Sequence, residues 1–321
     1  MTFDQTSFPE DGTAKSSDPA VPGRTSSIDH IQPEIEILPV SLLDENRQTV
    51  EALKVLANSL GLELGWHYLL DLSWIVQKLG SVKGKFIMDA GAGTGLMQWY
   101  LASQDAEVLS VDRNSRSMLP LRFRLHYHVI GLRGSPAPDL LPVDRLTMAN
   151  LKDPKQALVE GRELLSGFGA QKAPGRVIIY NQDLKSLVDV LDNSLDAVVA
   201  VSALEHNSPD DLPHVVTELV RVLKPGGMLL ATLGAGRDQD WFHQASAGWC
   251  FTDTSLRRLF SLPEDTPSNY TQYDELFIAL HDCAELRDNL ASFYSQSGDN
   301  GMPWGKWDPQ YQPVGVLKIK E

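Results

Sequence analysis

Seven residues, Asp89-Ala-Gly-Ala-Gly-Thr-Gly95, do most to limit what this chain can fold into. They follow a short apolar segment, Lys85–Asp89, expected as a strand, and precede a helix expected over Leu96–Ser103. Glycines allow a tight turn and let the backbone approach a bound group without Cβ interference. The free amides of the helix start can then face a ligand. A strand, a glycine turn and a helix in this order open a parallel α/β sheet. Such sheets bind ligands beyond the carboxyl ends of their strands, where the strand order reverses.

The register of the glycines narrows the ligand. A dinucleotide fingerprint wants Gly-x-Gly-x-x-Gly, and its last glycine would fall on Leu96. Asp89, two residues before the first glycine, would repel a pyrophosphate and suits a ligand carrying an ammonium group. A phosphate loop ending in Gly-Lys-Ser/Thr is absent. A second acid, Asp112, closes the next expected strand, Glu107–Asp112, where it can accept hydrogen bonds from both ribose hydroxyls. Asp183 closes a third, Arg176–Asp183, near the place of an adenine amino group. The alternative is that all three acids merely end their strands.

The remaining pattern extends the alternation. A fourth strand is expected over Leu195–Ala203. A helix follows, with Ser208 as its cap, Pro209 in its first turn and Asp210 and Asp211 complementing its dipole. It runs to Pro225-Gly226-Gly227, ahead of a fifth strand, Met228–Leu233. Further on, a helix over Ser255–Phe260 capped by Thr254, helix within Tyr273–Tyr294, and a last strand over Val314–Lys320 are expected. An additional strand is placed between Leu262 and Tyr273. The fold class is α/β, a doubly wound, mostly parallel sheet of the Rossmann-like kind. Residues 1–35, polar and without hydrophobic periodicity, read as a disordered tail. Residues 36–82 read as a helical extension, with helices over Asn46–Leu60 and Trp66–Leu79, and 83–321 as the main domain. The stretch 113–174 is longer than one crossover and includes an insertion.

Composition removes several classes. The 321 residues carry a formal net charge of −14, which disfavours nucleic acid as a partner. The basic run Arg113, Arg116, Arg122 and Arg124, with His126 and His128, reads as a solvated helix face. No apolar run is long enough for a bilayer, no secretory signal is visible, and two cysteines make no disulfide framework. A cytoplasmic protein with no membrane partner is the expectation; oligomeric state is left open.

Between Phe86 and Leu233 the chain resembles the class I S-adenosylmethionine-dependent methyltransferases. The resemblance rests on Asp89–Gly95, Val111-Asp112, Asn181-Gln-Asp183-Leu184, Ser202-Ala-Leu-Glu-His206 and Leu223-Lys-Pro-Gly-Gly227. It implies S-adenosylmethionine as cofactor. Asp89 and the glycines Gly91, Gly93 and Gly95 would hold its methionine part, Asp112 its ribose, and Asp183 and Leu184 its adenine, with Ala90, Arg113 and Ser202 as further cofactor-binding residues. The last two motifs look most like the branch that methylates small metabolites, and the class closes its sheet with an antiparallel strand, which Val314–Lys320 could supply. An oxygen acceptor needs a general base, and His206 is the first candidate, with Glu205 to orient it or to bind the acceptor. The alternative is that both only fix the loop before Ser208. His67, Tyr68 and Asp71, on a helix with Trp66 and Trp74, either cover the cofactor or pack the core. His243, among Trp241, Phe242 and Trp249, either lines an acceptor pocket or packs. No metal ligand set is visible. Two rival readings remain: a methyltransferase-fold scaffold without activity, and a nicotinamide-dependent oxidoreductase.

Overall fold

The computed structural model describes residues 32–116, 119–131 and 171–321, with the single positions 158 and 161. The expected insertion within 113–174 and almost all of the expected tail lie outside them. Among the described residues ten strands form one sheet: β1 (Glu34–Ile37), β2 (Phe86–Ala90), β3 (Glu107–Asp112), β4 (His128–Gly131), β5 (Arg176–Asn181), β6 (Leu195–Val201), β7 (Leu223–Ala235), β8 (Trp241–His243), β9 (Gly248–Phe251) and β10 (Gln312–Ile319). Their order is β1-β10-β7-β6-β2-β3-β5-β4, with the β8–β9 hairpin attached beside β7. From β4 to β7 the ladder is parallel; β10 runs antiparallel to β7, and β1 antiparallel to β10. The chain leaves β2 towards β3 and later returns to its other side as β6. The reversal therefore falls at the carboxyl ends of β2 and β6.

Helices cover both faces, so the central strands are buried on both sides and read as unbroken apolar runs, such as Ala197–Ala200 in β6. One face takes α2 (Arg47–Ser59), α3 (Tyr68–Leu79) and α4 (Met97–Ser103), with Trp74 and Trp99 among its core. The other takes α6 (Leu212–Val222), after the short α5 (Leu121–His126), and α7 (Asp253–Leu259). In α6, Leu212, Val215, Val216, Leu219 and Val222 are buried at helical spacing. Trp74 seats itself on Gly315 of β10, where a Cβ would come within 2.6 Å of its ring.

The five expected parallel strands and the closing antiparallel one are present, and several details differ. Among the described residues the first element begins at Glu34, taking in two residues of the expected tail. The segment read as purely helical thus opens with an edge strand, whose Glu-Ile-Glu-Ile alternation buries Ile35 and Ile37. No strand lies between Leu262 and Tyr273; that stretch holds only an isolated bridge at Ser268 and a short 3₁₀ turn at Tyr270–Gln272. The cap of α7 is Thr252 rather than Thr254, its hydroxyl accepting from the Ser255 amide at 3.3 Å. Ser208 accepts from the Asp211 amide at 3.1 Å, yet α6 proper starts at Leu212. Arg116 and Arg124, read as solvated, are 5% and 8% exposed. Among the described residues no helix is long and apolar enough to cross a membrane.

Candidate functional site

A cleft of about 670 Å³ opens at the carboxyl ends of β2 and β6, at the reversal point. Its floor is the glycine loop. Gly91 (φ +75°) and Gly93 (φ +47°) hold left-handed backbone. A Cβ on Gly91 would lie 2.5 Å from the Cβ of Ala203, so the loop closes against the end of β6 only without one. The Gly91 and Ala92 amides donate to the Val111 carbonyl at 2.9 and 3.0 Å, which ties the loop to β3.

Asp89 and Asp112 stand at the ends of β2 and β3 as expected, whereas β5 ends at Asn181 and Asp183 lies two residues beyond it. Asp89 is 2% exposed, with the Gln98 backbone of α4 favouring its charged form. Its Oδ2 is buried without a partner. Burial pushes its pKa up to about 7; the Arg116 charge pulls against that shift and Asp112 adds to it. Asp112 accepts from the Gly93 amide at 2.9 Å and the Asn114 amide at 2.7 Å, one on each oxygen. Each oxygen keeps a second lone pair. Asp183, exposed at the rim, accepts from the Lys185 amide at 2.9 Å. Asp89, Gly91, Gly93, Gly95, Asp112, Arg113, Asp183, Leu184 and Ser202 all line the cleft. Ala90 does not; it is buried inside β2.

The other end of the cleft is built by α3 and the turn after β6. Tyr68 and Leu72 form one wall. Facing them, Ser202 adopts a left-handed φ of +45°, pinned by its amide donating to the carbonyl and the hydroxyl of Thr232, both at 3.1 Å. Its hydroxyl donates to Glu205 Oε1 at 2.5 Å. Glu205 is 6% exposed, points inward, and is not part of the cleft wall; burial raises its pKa. His206, one residue on, is exposed and does line the cleft. Its Nδ1 donates to the Ala247 carbonyl at 3.0 Å, which leaves the lone pair on Nε2.

Two aromatic groups singled out in the sequence divide. Tyr68 reaches the cleft, while His67 and Asp71 are buried behind it, His67 Nδ1 donating to Asp71 Oδ2 at 2.7 Å and Nε2 meeting the Tyr311 hydroxyl at 3.3 Å. His243 also stays out of the cleft, packed on Tyr311 with its Nδ1 bonded to Ser246 at 2.8 Å. Sequence reasoning missed Leu62, Glu63 and Leu64, the connection between α2 and α3 that forms part of the wall, and Asn114 and Gln182 beside the acids. Asn114 lies two residues after Asp112 and Gln182 directly precedes Asp183, so proximity to those acids was the available signal. Among the described residues no group of three or more His, Cys, Asp or Glu could hold a metal ion.

An orphaned carboxylate oxygen above a glycine cradle suits a ligand's ammonium group, and an acid at the next strand end suits a diol. A family model described as a methyltransferase domain matches residues 162–231. No curated protein matches. Solved structures with some likeness include the [4+2]-cyclase SpnF, at 15% identity over 90% of this chain and 99% of that one, TM-score 0.42. The Burkholderia thailandensis 1,6-didemethyltoxoflavin-N1-methyltransferase shares 14% over 88% of each chain, TM-score 0.37. A Haemonchus contortus phosphoethanolamine N-methyltransferase shares 12% over 87% of this chain and 60% of that one, TM-score 0.45.

Proposed function

We propose that this chain, in which residues 162–231 match a methyltransferase-domain model and the strands form a mostly parallel, doubly wound sheet, binds S-adenosylmethionine and methylates a small-molecule acceptor. The observation that carries the reading is the unpartnered Asp89 Oδ2 over the Gly91–Gly93 cradle, with Asp112 at the adjacent strand end. Asp89 would take the ligand's ammonium and Asp112 its ribose hydroxyls. Asp183 and Leu184 would flank the adenine. When bound, the cofactor supplies a methyl group on a sulfonium, already activated for transfer.

The protein's part is then to align an acceptor, exclude water and remove a proton where the acceptor needs it. Tyr68 and Leu72 on one side and Ser202 and Ala203 on the other bound the space for that acceptor. His206, with Nε2 free, is the group that takes the proton. Glu205 acts through Ser202, holding the strained turn from beneath. An acid-rich cleft beneath a net charge of −14 supports a small molecule over a nucleic acid.

The test is transfer of labelled methyl from S-adenosylmethionine to pooled small alcohols, phenols, amines and carbon acids. Transfer by the wild type, reduced by about 10²–10⁴ in His206→Gln with cofactor affinity within twofold, supports both the activity and the base. Transfer that His206→Gln leaves intact removes the base assignment. No transfer to any pool by a protein that binds the cofactor favours the scaffold reading.

A further inference from the structure

Arg116 was grouped with a basic surface run, yet its guanidinium lies inside the protein, 5% exposed, just after β3. Nη2 donates to the carbonyls of Ser110 on β3 and Tyr180 on β5, at 2.8 and 3.1 Å. Nη1 donates to the Gly93 carbonyl at 3.4 Å and to the Ser110 hydroxyl. That hydroxyl donates in turn to Gln98 Oε1 at 2.6 Å. Gln98 is fully buried, and its Nε2 donates to the carbonyls of Gly95, Ala92 and Gly93 at 3.1, 3.3 and 3.3 Å. One cation thus joins the three elements that bear the cofactor-binding acids and glycines, while Gln98 gathers the loop's carbonyls from behind.

A buried charge without a purpose is costly, and a neutral side chain could satisfy some of these carbonyls. The charge itself has two partners within reach of its field: Asp89 and Asp112. We infer that Arg116 is a positioning residue of the cofactor site, fastening the glycine loop to β3 and β5 and supplying the buried positive charge that keeps Asp89 available as a carboxylate. This deepens the S-adenosylmethionine reading and rests on it. The groups that act on Asp89 are the Gln98 amide from α4, Asp112 from β3 and Arg116 itself; Tyr68 from α3 lines the same cleft. Arg116 favours the ionised acid, whereas burial and Asp112 oppose it.

The sign follows. Only the Asp89 carboxylate attracts an ammonium group, so affinity rises with pH as Asp89 ionises, around pH 7 in the wild type. The experiment is calorimetric titration with S-adenosylmethionine between pH 5.5 and 7.5, on the wild type, Arg116→Lys, Arg116→Gln and Gln98→Leu. Arg116→Gln is expected to move the rise upward by about one pH unit, weakening binding about fivefold at pH 7 and about tenfold at pH 5.5 (1.4 kcal/mol per decade). Arg116→Lys keeps the charge and loses the fork, so the rise stays in place with a few-fold weaker affinity. Gln98→Leu weakens binding equally at every pH. A uniform loss in Arg116→Gln, parallel to that of Gln98→Leu, would overturn the electrostatic role. Should Arg116→Gln not fold, carbon-13 titration of the Asp89 carboxyl in the wild type decides: a midpoint near or below 7 supports the proposal, one above 8 contradicts it. Absence of binding by the wild type at every pH is a different failure, that of the cofactor reading, and leaves the carboxyl titration as the test.

Discussion

The carboxyl of Asp89 keeps one oxygen unpartnered in a nearly dry site. An acid whose pKa rises on folding binds a proton more tightly in the native state. Its contribution is fully present below the unfolded value near 4 and is lost as pH rises through the folded value of about 7. Three pKa units correspond to an upper bound of about 4 kcal/mol. Asp89→Asn should therefore be the more stable protein in urea at pH 7.5 without ligand, approach wild type near pH 4.5, and fail to bind the cofactor. Equal stability of the two proteins at both pH values would refute the burial argument. Gly91→Ala tests the cradle from its other side. Its Cβ would strike Ala203 and its φ is left-handed, so it should cost about 1–3 kcal/mol and weaken cofactor binding more than tenfold. Unchanged affinity would show that the loop does not need its present closure.

At the scale of elements, the cleft depends on how α3 meets the sheet. Trp74 on Gly315 fixes the helix, its indole nitrogen donating to Glu36 Oε2 at 2.8 Å, and so places Tyr68 and Leu72 along the wall. Gly315→Ala should lower the urea midpoint by the equivalent of about 1–3 kcal/mol with the slope unchanged. An unaltered midpoint would mean that the helix rests elsewhere. A second tie joins α2 to α9 (Ala284–Asp288), the helix that follows α8 (Tyr273–His281): Arg47 and Lys54 donate to Glu285 at 2.6 and 2.7 Å. The hydrogen bond from Arg47 leads in pulling the Glu285 pKa down to about 2. A depressed acid stabilises above its unfolded pKa of 4.5 and loses that contribution as pH falls through about 2. The melting temperature of Glu285→Gln should thus lie below wild type at pH 7, with the gap narrowing below pH 4.5. A gap independent of pH would exclude the tie as its source.

For the molecule as a whole, five of the parallel strands were legible as apolar runs, and in β2, β3 and β5 an acid at or just beyond the strand end carried a second signal. β1 was not, although Glu34–Ile37 alternates strictly: four residues after a polar stretch leave too little periodicity to separate strand from tail. β4 was hidden by its place beside the basic run, and the buried state of Arg116 depends on carbonyls of Ser110 and Tyr180 that only the folded sheet brings together. The cleft's acceptor wall was half legible, since Tyr68 and His206 stood out by type, while the inward turn of Glu205 comes from the left-handed Ser202, which no local pattern announces.

The central claim is that this cleft binds S-adenosylmethionine through Asp89, Asp112 and the glycine loop. It is tested most directly by calorimetry on the wild type and Asp112→Ala, with NAD as competitor. The account predicts binding in the micromolar range, weakened at least tenfold (about 1.4 kcal/mol) by Asp112→Ala and untouched by NAD. No binding by the folded wild type, or displacement by NAD, would contradict it.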